Sequence, residues 1–210
     1  MKIKNKTAGH AGIACFSFAL KGNRAGGPTS KSVRFKWWEH VTEPREEYSM
    51  EIKYATTEDI TALAAVEAEC FPPAEAATEE EFIERVKYYG NHFWLMYEDG
   101  KLIAFVDGFV TDEPDLTDEM YEKAAMHNED GAWQMIFGVN TLPDHRRHGY
   151  AGKLICLAID DAKQQGRKGL VLTCKEKLIP YYAKFGFSDE GVSDKSTHGN
   201  VVWHQMRLVF

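Results

Sequence analysis

The feature that most constrains the fold is an apolar run at residues 133–139, followed by a charged, glycine-containing segment at residues 142–152. The segment after it has helical spacing, with apolar side chains at Leu154, Ile155, Ala158, Ile159 and Ala162. This order predicts a strand, a short turn and a helix. The first N–H groups of a helix have no intrahelical partner, and the helix dipole adds partial positive charge there. A turn rich in Arg, His and Gly at that point predicts an anion site suited to phosphate.

The composition fits one globular domain with an appendage. The 210 residues suit a single domain, and a hydrophobic content of 44% is enough for a buried core. Charge is uneven: residues 1–49 hold nine Lys/Arg against four Asp/Glu, whereas residues 50–210 hold 16 against 28. The acidic body argues against a nucleic-acid partner, because nucleic-acid binding needs cationic groups. It favours a cationic amine as the substrate.

The cysteines and the apolar segments indicate neither a metal site nor a membrane span. The four cysteines are widely spaced and form no C-x-x-C pair, so we expect reduced thiols and no metal. No apolar run approaches the ~18 residues of a membrane-spanning helix. The short apolar stretch at residues 11–20 has no small-x-small cleavage site after it. The sequence therefore predicts a cytoplasmic protein with no membrane partner.

The chain divides near residue 50. Residues 1–49 include a Gly/Ser/Lys-rich tract and no persistent period, so we expect a disordered extension or an upstream start that the mature protein lacks. Residues 50–210 are expected to form one domain, in which Thr57 and Thr78 cap the first two helices and Asp99-Gly100 turns a hairpin. The predicted strands cover residues 50–55, 92–97, 101–110, 133–142, 170–174, 187–192 and 201–209. The predicted helices cover residues 59–70, 78–89, 116–126, 150–165 and 178–185.

Three segments resemble the GNAT superfamily of acetyl-CoA-dependent N-acetyltransferases. They are residues 69–72, the spacing Arg146-x-x-Gly149-x-Ala151, and residues 172–187, where a strand, a tyrosine and Phe-Gly-Phe recur in register. The resemblance covers about residues 51–209 and is greatest to the arylalkylamine (serotonin) N-acetyltransferase branch. It implies a GNAT fold of the α/β (α+β) class. Such a fold has a mixed, mostly antiparallel sheet flanked by helices, with acetyl-CoA bound at the splayed central strands.

The resemblance also implies where acetyl-CoA would bind as co-substrate. It places the pyrophosphate against the turn and the first helical turn, mostly through backbone N–H groups, at Arg147, His148, Gly149, Tyr150, Ala151 and Gly152. It places the pantetheine arm along the preceding strand end, at Val139, Asn140 and Thr141. An N–H group near Val139 would also hold the oxyanion of the tetrahedral intermediate. The structural alternatives are an ordinary surface turn and the end of a core strand.

The resemblance assigns the proton donor to Tyr182. A phenol beside the departing coenzyme A thiolate can donate a proton as charge builds on sulfur. Tyr181 is the rival, and a tyrosine that merely packs on the sheet is the structural alternative. Thr173 matches a substrate-lining position, so the expected substrate-binding residues are Val139, Thr173 and Tyr182.

The general base is left open by the sequence. An alkylammonium of pKa ~10 must lose a proton before it attacks. The arylalkylamine enzymes carry two histidines on the strand before the turn, and here those positions are Met135 and Phe137. His198 is expected to act as a catalytic residue because it lies in the final hairpin segment. The alternatives are His127, Glu129 and Asp130.

These observations predict an enzyme that transfers an acetyl group from acetyl-CoA to a primary amine by direct attack in a ternary complex. The expected acceptor is a small molecule, arylalkylamine or polyamine-like. The alternatives are acetylation of a protein N-terminus or lysine, and a non-catalytic regulator that binds acyl-CoA. The sequence leaves a monomer and a homodimer equally open.

Overall fold

The computed structural model describes residues 33–35, 49–197, 199 and 201–210. Most of the predicted extension, and His198 with it, lies outside the described residues. Within the extension, Val33–Phe35 forms a short strand that pairs antiparallel with the first strand of the main body. The disorder and the start site predicted for residues 1–49 stay predictions.

The elements alternate along the chain much as the hydrophobic pattern predicts. The strands are β1 Val33–Phe35, β2 Met50–Tyr54, β3 Phe93–Glu98, β4 Lys101–Asp107, β5 Val110–Thr111, β6 Trp133–Ile136, β7 Gly138–Thr141, β8 Gly169–Cys174, β9 Ser188–Val192 and β10 His204–Val209. The α-helices are α1 Ile60–Cys70, α2 Glu79–Tyr89, α3 Asp118–Glu122, α4 Tyr150–Gln164 and α5 Ile179–Tyr182. None of the described helices is long and apolar enough to cross a bilayer.

The strands form two five-stranded sheets. One has the order β1-β2-β3-β4-β7 and the other the order β5-β6-β8-β10-β9. All described pairings are antiparallel except that of β6 with β8, which is parallel. This is the mixed, mostly antiparallel arrangement that the sequence predicts.

Helices cover both faces of the first sheet. On β3, Phe93 contacts Phe82 of α2, whereas its neighbour Trp94 donates a hydrogen bond of 2.7 Å from Nε1 to Asp161 of α4. Consecutive strand residues point to opposite faces, so α2 and α4 lie on opposite sides of the sheet. α1 packs beside α2 and against β4 and β7. The core therefore has two layers, one on each side of β3 and β4.

Several local details differ from the sequence prediction, and the predicted strand 101–110 is two strands, β4 and β5, in different sheets. Thr56, rather than Thr57, caps the first helical segment, and its N–H donates to Asp59 Oδ2 at 2.8 Å. The predicted strand 133–142 is two strands, which are separated at Phe137. The last strand begins at His204 rather than at residue 201. Thr78 caps α2 as predicted, in a reciprocal capping box with Glu81.

Candidate active site

The two sheets separate at the middle of the molecule and leave a slot. β6 and β8 pair in parallel up to the register Ile136 with Leu172. Beyond that point β7 pairs with β4 on its other side, while the end of β8 at Thr173 and Cys174 pairs with β10. β7 is thus the last described strand of its sheet, and its free edge faces the end of β8. This is the splay of the central strands that the sequence predicts.

A β-bulge at Phe137 and Gly138 causes the separation. The N–H of Phe137 donates to the Asp107 carbonyl at 2.8 Å, yet Gly138 is the residue directly opposite Asp107. Two residues on one strand therefore face one residue on the other, which bends the bulged strand. The Gly138 N–H also donates to the Asp107 carboxylate. The bend turns β7 away from β8.

Backbone groups of β7 point into the slot. The N–H of Leu142 donates to the Ile103 carbonyl at 2.9 Å, and Asn140 is paired with Phe105. Because antiparallel strands alternate, the backbone groups of Val139 and Thr141 face the opposite edge. The Thr141 carbonyl already accepts from Cys70 Sγ at 3.3 Å and from Arg146 Nε at 3.1 Å. The edge next to Val139 is the part that an extended ligand can pair with.

The predicted anion turn lies directly at the start of α4. Arg147 and Gly149 have left-handed backbones, with φ angles of 66° and 80°. Such residues turn successive N–H groups toward one point, which makes a concave anion site at a helix N-terminus. His148 donates from Nδ1 to the His145 carbonyl at 3.1 Å and stacks on Tyr150. The side chains of Arg147 and His148 are exposed, so they are free to add charge to a bound phosphate.

Ala151 and Gly152 complete the first turn of α4, and Gly152 is in close contact with α5. A Cβ atom on Gly152 would lie 3.2 Å from Phe185 Cζ and 3.8 Å from the Tyr181 hydroxyl. Tyr181 therefore points toward the phosphate end of the slot. Tyr181 is therefore placed to contact the phosphate end of a bound cofactor, whereas the role predicted for Tyr182 is at the thiol.

Tyr182, the last residue of α5, lies in the core next to Cys174 at the end of β8. Its ring packs edge-on against Tyr181 and Phe187, with centroid distances of 5.2 Å and 6.2 Å. Burial raises the pKa of Tyr182 above its ordinary value, and the neighbouring Cys174 thiol adds to this effect. The phenol therefore stays protonated at neutral pH, which is the form that a proton donor needs.

An aromatic wall connects the end of β8 to α2. The Tyr121 hydroxyl lies 3.3 Å from Thr173 Oγ1, and its ring lies 4.8 Å from the ring of Phe137. The Arg85 guanidinium stands 5.8 Å from the Phe137 ring and donates to the Tyr121 carbonyl at 3.1 Å. Phe137 occupies a position where a histidine is expected in the arylalkylamine branch. The chain thus presents an apolar ring there instead of a base.

A family model described as Acetyltransferase (GNAT) family matches residues 59–187, which is more than half of the chain. The match includes β7, the anion turn, α4 and Tyr182. The chain belongs to the GNAT acetyltransferase family. Members of this family are acyltransferases, as the sequence predicts for this chain.

A sequence relative supports the same family. The serotonin N-acetyltransferase of Mesocricetus auratus is 28% identical over 96 residues. The aligned part is 45% of this chain and 45% of that protein, so the chain spans less than half the length of the curated relative it matches. The particular arylalkylamine branch therefore stays a prediction.

Solved structures show the fold. The loading GNATL domain of CurA from Lyngbya majuscula superposes with a TM-score of 0.66 at 16% identity, over 76% of this chain and 97% of that one. Naa50 of Arabidopsis thaliana, in complex with the bisubstrate analogue CoA-Ac-MVNAL, superposes with a TM-score of 0.58 at 15% identity. That alignment covers 77% of this chain and 99% of Naa50. The predicted GNAT fold is confirmed.

In this GNAT chain, two of the candidate bases, His127 and Glu129, hydrogen-bond to each other. Glu129 accepts at Oε2 from His127 Nε2, which lies 3.3 Å away, and it contacts Arg167 Nη2 at 3.2 Å through Oε1. The hydrogen bonds from His127 and His92, that of His127 foremost, hold the pKa of Glu129 far below its usual range. Such a carboxylate is a poor base. Asp130 follows directly in the chain and is exposed.

His92, His127 and Glu129 lie close enough together to suggest a metal site. Their ligand atoms are all within 4.8 Å of one another. However, the Val110 N–H donates to His127 Nδ1 at 3.2 Å, so the ring proton must be on Nε2. A nitrogen that carries a proton cannot ligate a metal. These three residues therefore fit a hydrogen-bond network better than a metal centre.

The sequence prediction missed a buried polar cluster beneath β7. Six buried side-chain atoms make no hydrogen bond with any described residue, and all of them belong to neighbouring side chains on α1, α2, β4 and β7. They are Glu67 Oε2, Arg85 Nε, the Tyr89 hydroxyl, Asp107 Oδ2, and Nδ2 and Oδ1 of Asn140. A signal was present, because Glu67 and Arg85 occupy the apolar stripes of their helices.

The two carboxyl groups of this cluster have perturbed acidities. Burial, together with the nearby Asp107, raises the pKa of Glu67 to about 7. Burial raises the pKa of Asp107 to about 6, against the opposing effect of Arg85. Arg85 Nη1 lies 3.6 Å from Asp107 Oδ2. One guanidinium thus faces two carboxyl groups that titrate near neutral pH.

Proposed function

We propose that the protein is an N-acetyltransferase that transfers the acetyl group of acetyl-CoA to a primary amine by direct attack in a ternary complex. One observation carries the proposal. The open edge of β7 at Val139 lies just before the anion turn of α4, and Tyr121, which contacts Phe137 at the start of this edge, is a neighbour of Tyr182. Phosphate, pantetheine and thioester sites therefore follow one another along a single slot.

Each part of the slot has a chemical role in this reaction. The turn at residues 147–152 would bind the pyrophosphate through backbone N–H groups and the helix dipole. The open edge of β7 at Val139 would pair with the pantetheine amides as an added strand does, whereas the backbone of Asn140 is already paired with Phe105. Its N–H group at Val139 would then donate to the thioester carbonyl oxygen and stabilise the oxyanion that forms on attack.

The transfer balances without a covalent enzyme intermediate. The neutral amine attacks the thioester carbon, and a C–N bond forms while the carbonyl oxygen becomes an oxyanion. As the C–S bond breaks, the thiolate takes the phenolic proton of Tyr182. The Tyr182 phenolate then recovers a proton from the nitrogen of the new amide. The products are the acetylated amine and free coenzyme A.

The aromatic wall supports a small acceptor with a ring. Phe137 and Tyr121 line the side of the slot that faces α2, and the acidic body attracts cations. We therefore propose an arylalkylamine or polyamine-like acceptor. A protein N-terminus is the second candidate, because the similar fold of Naa50 was determined with a peptide-like bisubstrate analogue. The cytoplasmic location and the oligomeric state stay predictions.

The test is release of free thiol from acetyl-CoA with arylalkylamines, polyamines, aminoglycosides and peptides, each in its own reaction. Turnover with a small amine supports the proposal, and turnover with peptides alone supports the second candidate. Binding of acetyl-CoA without turnover on any acceptor would instead indicate a non-catalytic regulator.

Tyr182→Phe removes the phenolic proton and keeps the ring. We expect turnover to fall by about 100-fold, a typical loss for a general acid. The matched control is Tyr181→Phe, which alters the adjacent ring and should change turnover only a few-fold. Equal turnover of the wild type and the Tyr182→Phe variant would remove Tyr182 from the mechanism.

A further inference from the structure

The buried cluster beneath β7 lies on the α2 side of the slot, where Arg85 also contacts Phe137 and Tyr121 of the aromatic wall. Gly138 and Asn140 are paired with Asp107 and Phe105, and directly opposite residues share one face of a sheet. Phe105 contacts Phe82 of α2, so this face is the α2 side, away from α4. An amine that attacks a thioester held at Val139 from this face passes directly by the cluster.

Glu67 is the member of the cluster best placed for chemistry. Its Oε1 accepts from the Ala77 N–H at 3.3 Å, while its Oε2 is buried and makes no hydrogen bond with the described residues. The side chain of Asn140, one residue beyond Val139 on β7, lies close enough to this carboxyl group to favour its ionised form by hydrogen bonding, which opposes the rise in the pKa of Glu67. Apart from Asn140, no described residue is a partner for Oε2, so this oxygen can accept a proton from a donor in the slot.

The charge balance of the cluster is unusual for a purely structural ion pair. Arg85 faces both Asp107 and Glu67, so two ionised carboxylates would leave one negative charge uncompensated in the core. Burying such a charge is costly, and a group in this position tends to hold a proton. The pair of Arg85 with Asp107 is enough to connect α2 to β4. Glu67 adds a second carboxyl group that this connection does not need.

We propose that Glu67 is the proton acceptor that converts the acceptor ammonium into the attacking amine, with Asp107 and Arg85 as its positioning residues. This inference rests on the proposed function. The ammonium N–H bond breaks, its proton passes to Glu67 Oε2 directly or over one hydrogen-bonded water, and the electron pair stays on nitrogen. The protonated Glu67 then returns its proton to solvent after the product leaves.

The surroundings of Glu67 suit a base that works near neutral pH. Arg85 opposes the rise in its pKa, and Asp107 promotes it. Cys70 on the same helix is the remaining titratable neighbour, and its thiol donates to the Thr141 carbonyl. Glu81 and Tyr89 face Arg85 in turn. A base whose pKa is close to the working pH is the most efficient one.

Glu67→Gln keeps the shape of the side chain and removes its basicity. With a strongly basic alkylamine at pH 7, we expect kcat/KM to fall by about 100-fold. The matched control is Glu69→Gln, the same change on the exposed side of α1, which should leave kcat/KM unchanged. Acetyl-CoA affinity and the melting temperature measured alongside should stay near those of the wild type.

An acceptor amine of low basicity distinguishes a role of Glu67 in proton transfer from a role in positioning the acceptor. Trifluoroethylamine is already largely unprotonated at neutral pH, so it does not need a base to become nucleophilic. We expect the loss in Glu67→Gln to shrink to a few-fold with this acceptor, and its kcat/KM with the basic acceptor to rise with pH as free amine forms. An equal loss with both acceptors, or a wild-type pH profile in the variant, would overturn the assignment.

A second measurement does not depend on turnover or on the variant. In wild-type protein labelled at the glutamate side-chain carboxyl carbon, one resonance should titrate with a midpoint near neutral pH. Titration of every glutamate near pH 4, the ordinary range, would overturn the assignment even if the wild type is active. A wild type that acetylates no acceptor would remove both the proposed function and this role, whereas an active wild type with an unaffected Glu67→Gln removes only the role.

Discussion

The carboxylate of Asp107 occupies the place that a side chain at Gly138 would take. A Cβ atom at residue 138 would lie 2.4 Å from Asp107 Oδ1, much closer than any real contact. The absence of a side chain lets the Gly138 N–H reach that carboxylate at the bulge where β6 ends and β7 begins. The bulge opens the slot, so this contact connects local backbone geometry to ligand access.

Gly138→Ala should therefore damage both stability and cofactor binding. The methyl group must displace Asp107 or straighten the bulge, at a cost of about 1–3 kcal/mol for overpacking. We expect a lower melting temperature and a weaker affinity for acetyl-CoA by calorimetry. Gly100→Ala is the control for acetyl-CoA affinity: its left-handed backbone, with a φ angle of 80°, also makes alanine costly to stability, but a Cβ atom there meets nothing within 4 Å, so acetyl-CoA affinity should not change. If the acetyl-CoA affinity of Gly138→Ala equals that of the wild type, the bulge is not required for acetyl-CoA to enter the slot.

Gly149 and Gly166 provide a matched pair at the two ends of α4. Both have left-handed backbones, with φ angles of 80° and 74°, and a Cβ atom on either one would meet nothing within 4 Å. Alanine at each position should cost about 1–2 kcal/mol of backbone strain. Only Gly149→Ala should also weaken acetyl-CoA binding, since it alters the anion turn. Equal affinities for the two variants would argue against phosphate binding there.

Lys175 connects the end of β8 to the segment between α1 and α2. Its Nζ lies 2.9 Å from both carboxylate oxygens of Glu75, whose side chain is only 7% exposed. Lys175→Met leaves that carboxylate buried without its cation, so we expect a loss of about 3 kcal/mol in the free energy of unfolding. The double variant Lys175→Met/Glu75→Gln should recover most of it. Denaturant titrations that show no recovery would contradict this pairing.

The elements of the fold could be predicted because they follow from local patterns. The apolar stripe of α4 and the Asp99-Gly100 turn depend on residues that are near one another in the chain. The bulge at Phe137 could not be predicted, since it depends on which strand pairs with β6 and in what register. A continuous apolar run predicts one strand, and the sequence does not show that its second half pairs with β4 of the other sheet.

The candidate site could be predicted on its cofactor side and not on its acceptor side. The anion turn is a contiguous segment, so its chemistry is visible in the sequence. Glu67, Arg85 and Asp107 are distant in sequence, and each one alone resembles a solvated polar residue. Their positions on otherwise apolar stripes and at the end of an apolar strand are the signal. Charged residues at core-facing positions with perturbed acidity mark candidates for a functional site.

Glu129 should make the protein sensitive to acid. Its carboxylate contacts His127, His92, Asn91 and Arg167, at distances between 3.0 Å and 3.3 Å. These contacts lower the pKa of Glu129 in the folded state. A carboxylate with a lowered folded-state pKa stabilises the fold at any pH above its unfolded value of ~4.3. That contribution is lost as the pH falls from there toward the folded-state pKa.

Glu129→Gln should therefore be less stable than the wild type at pH 7, and the difference should narrow only below about pH 4.3. Melting curves from pH 7 to pH 3 would measure the difference. Glu119→Gln is the control, because Glu119 forms an exposed ion pair with Lys123 one helical turn away, and such pairs contribute little. A difference that stays constant down to pH 3, or grows in acid, would show that the carboxylate of Glu129 does not stabilise the fold through its charge.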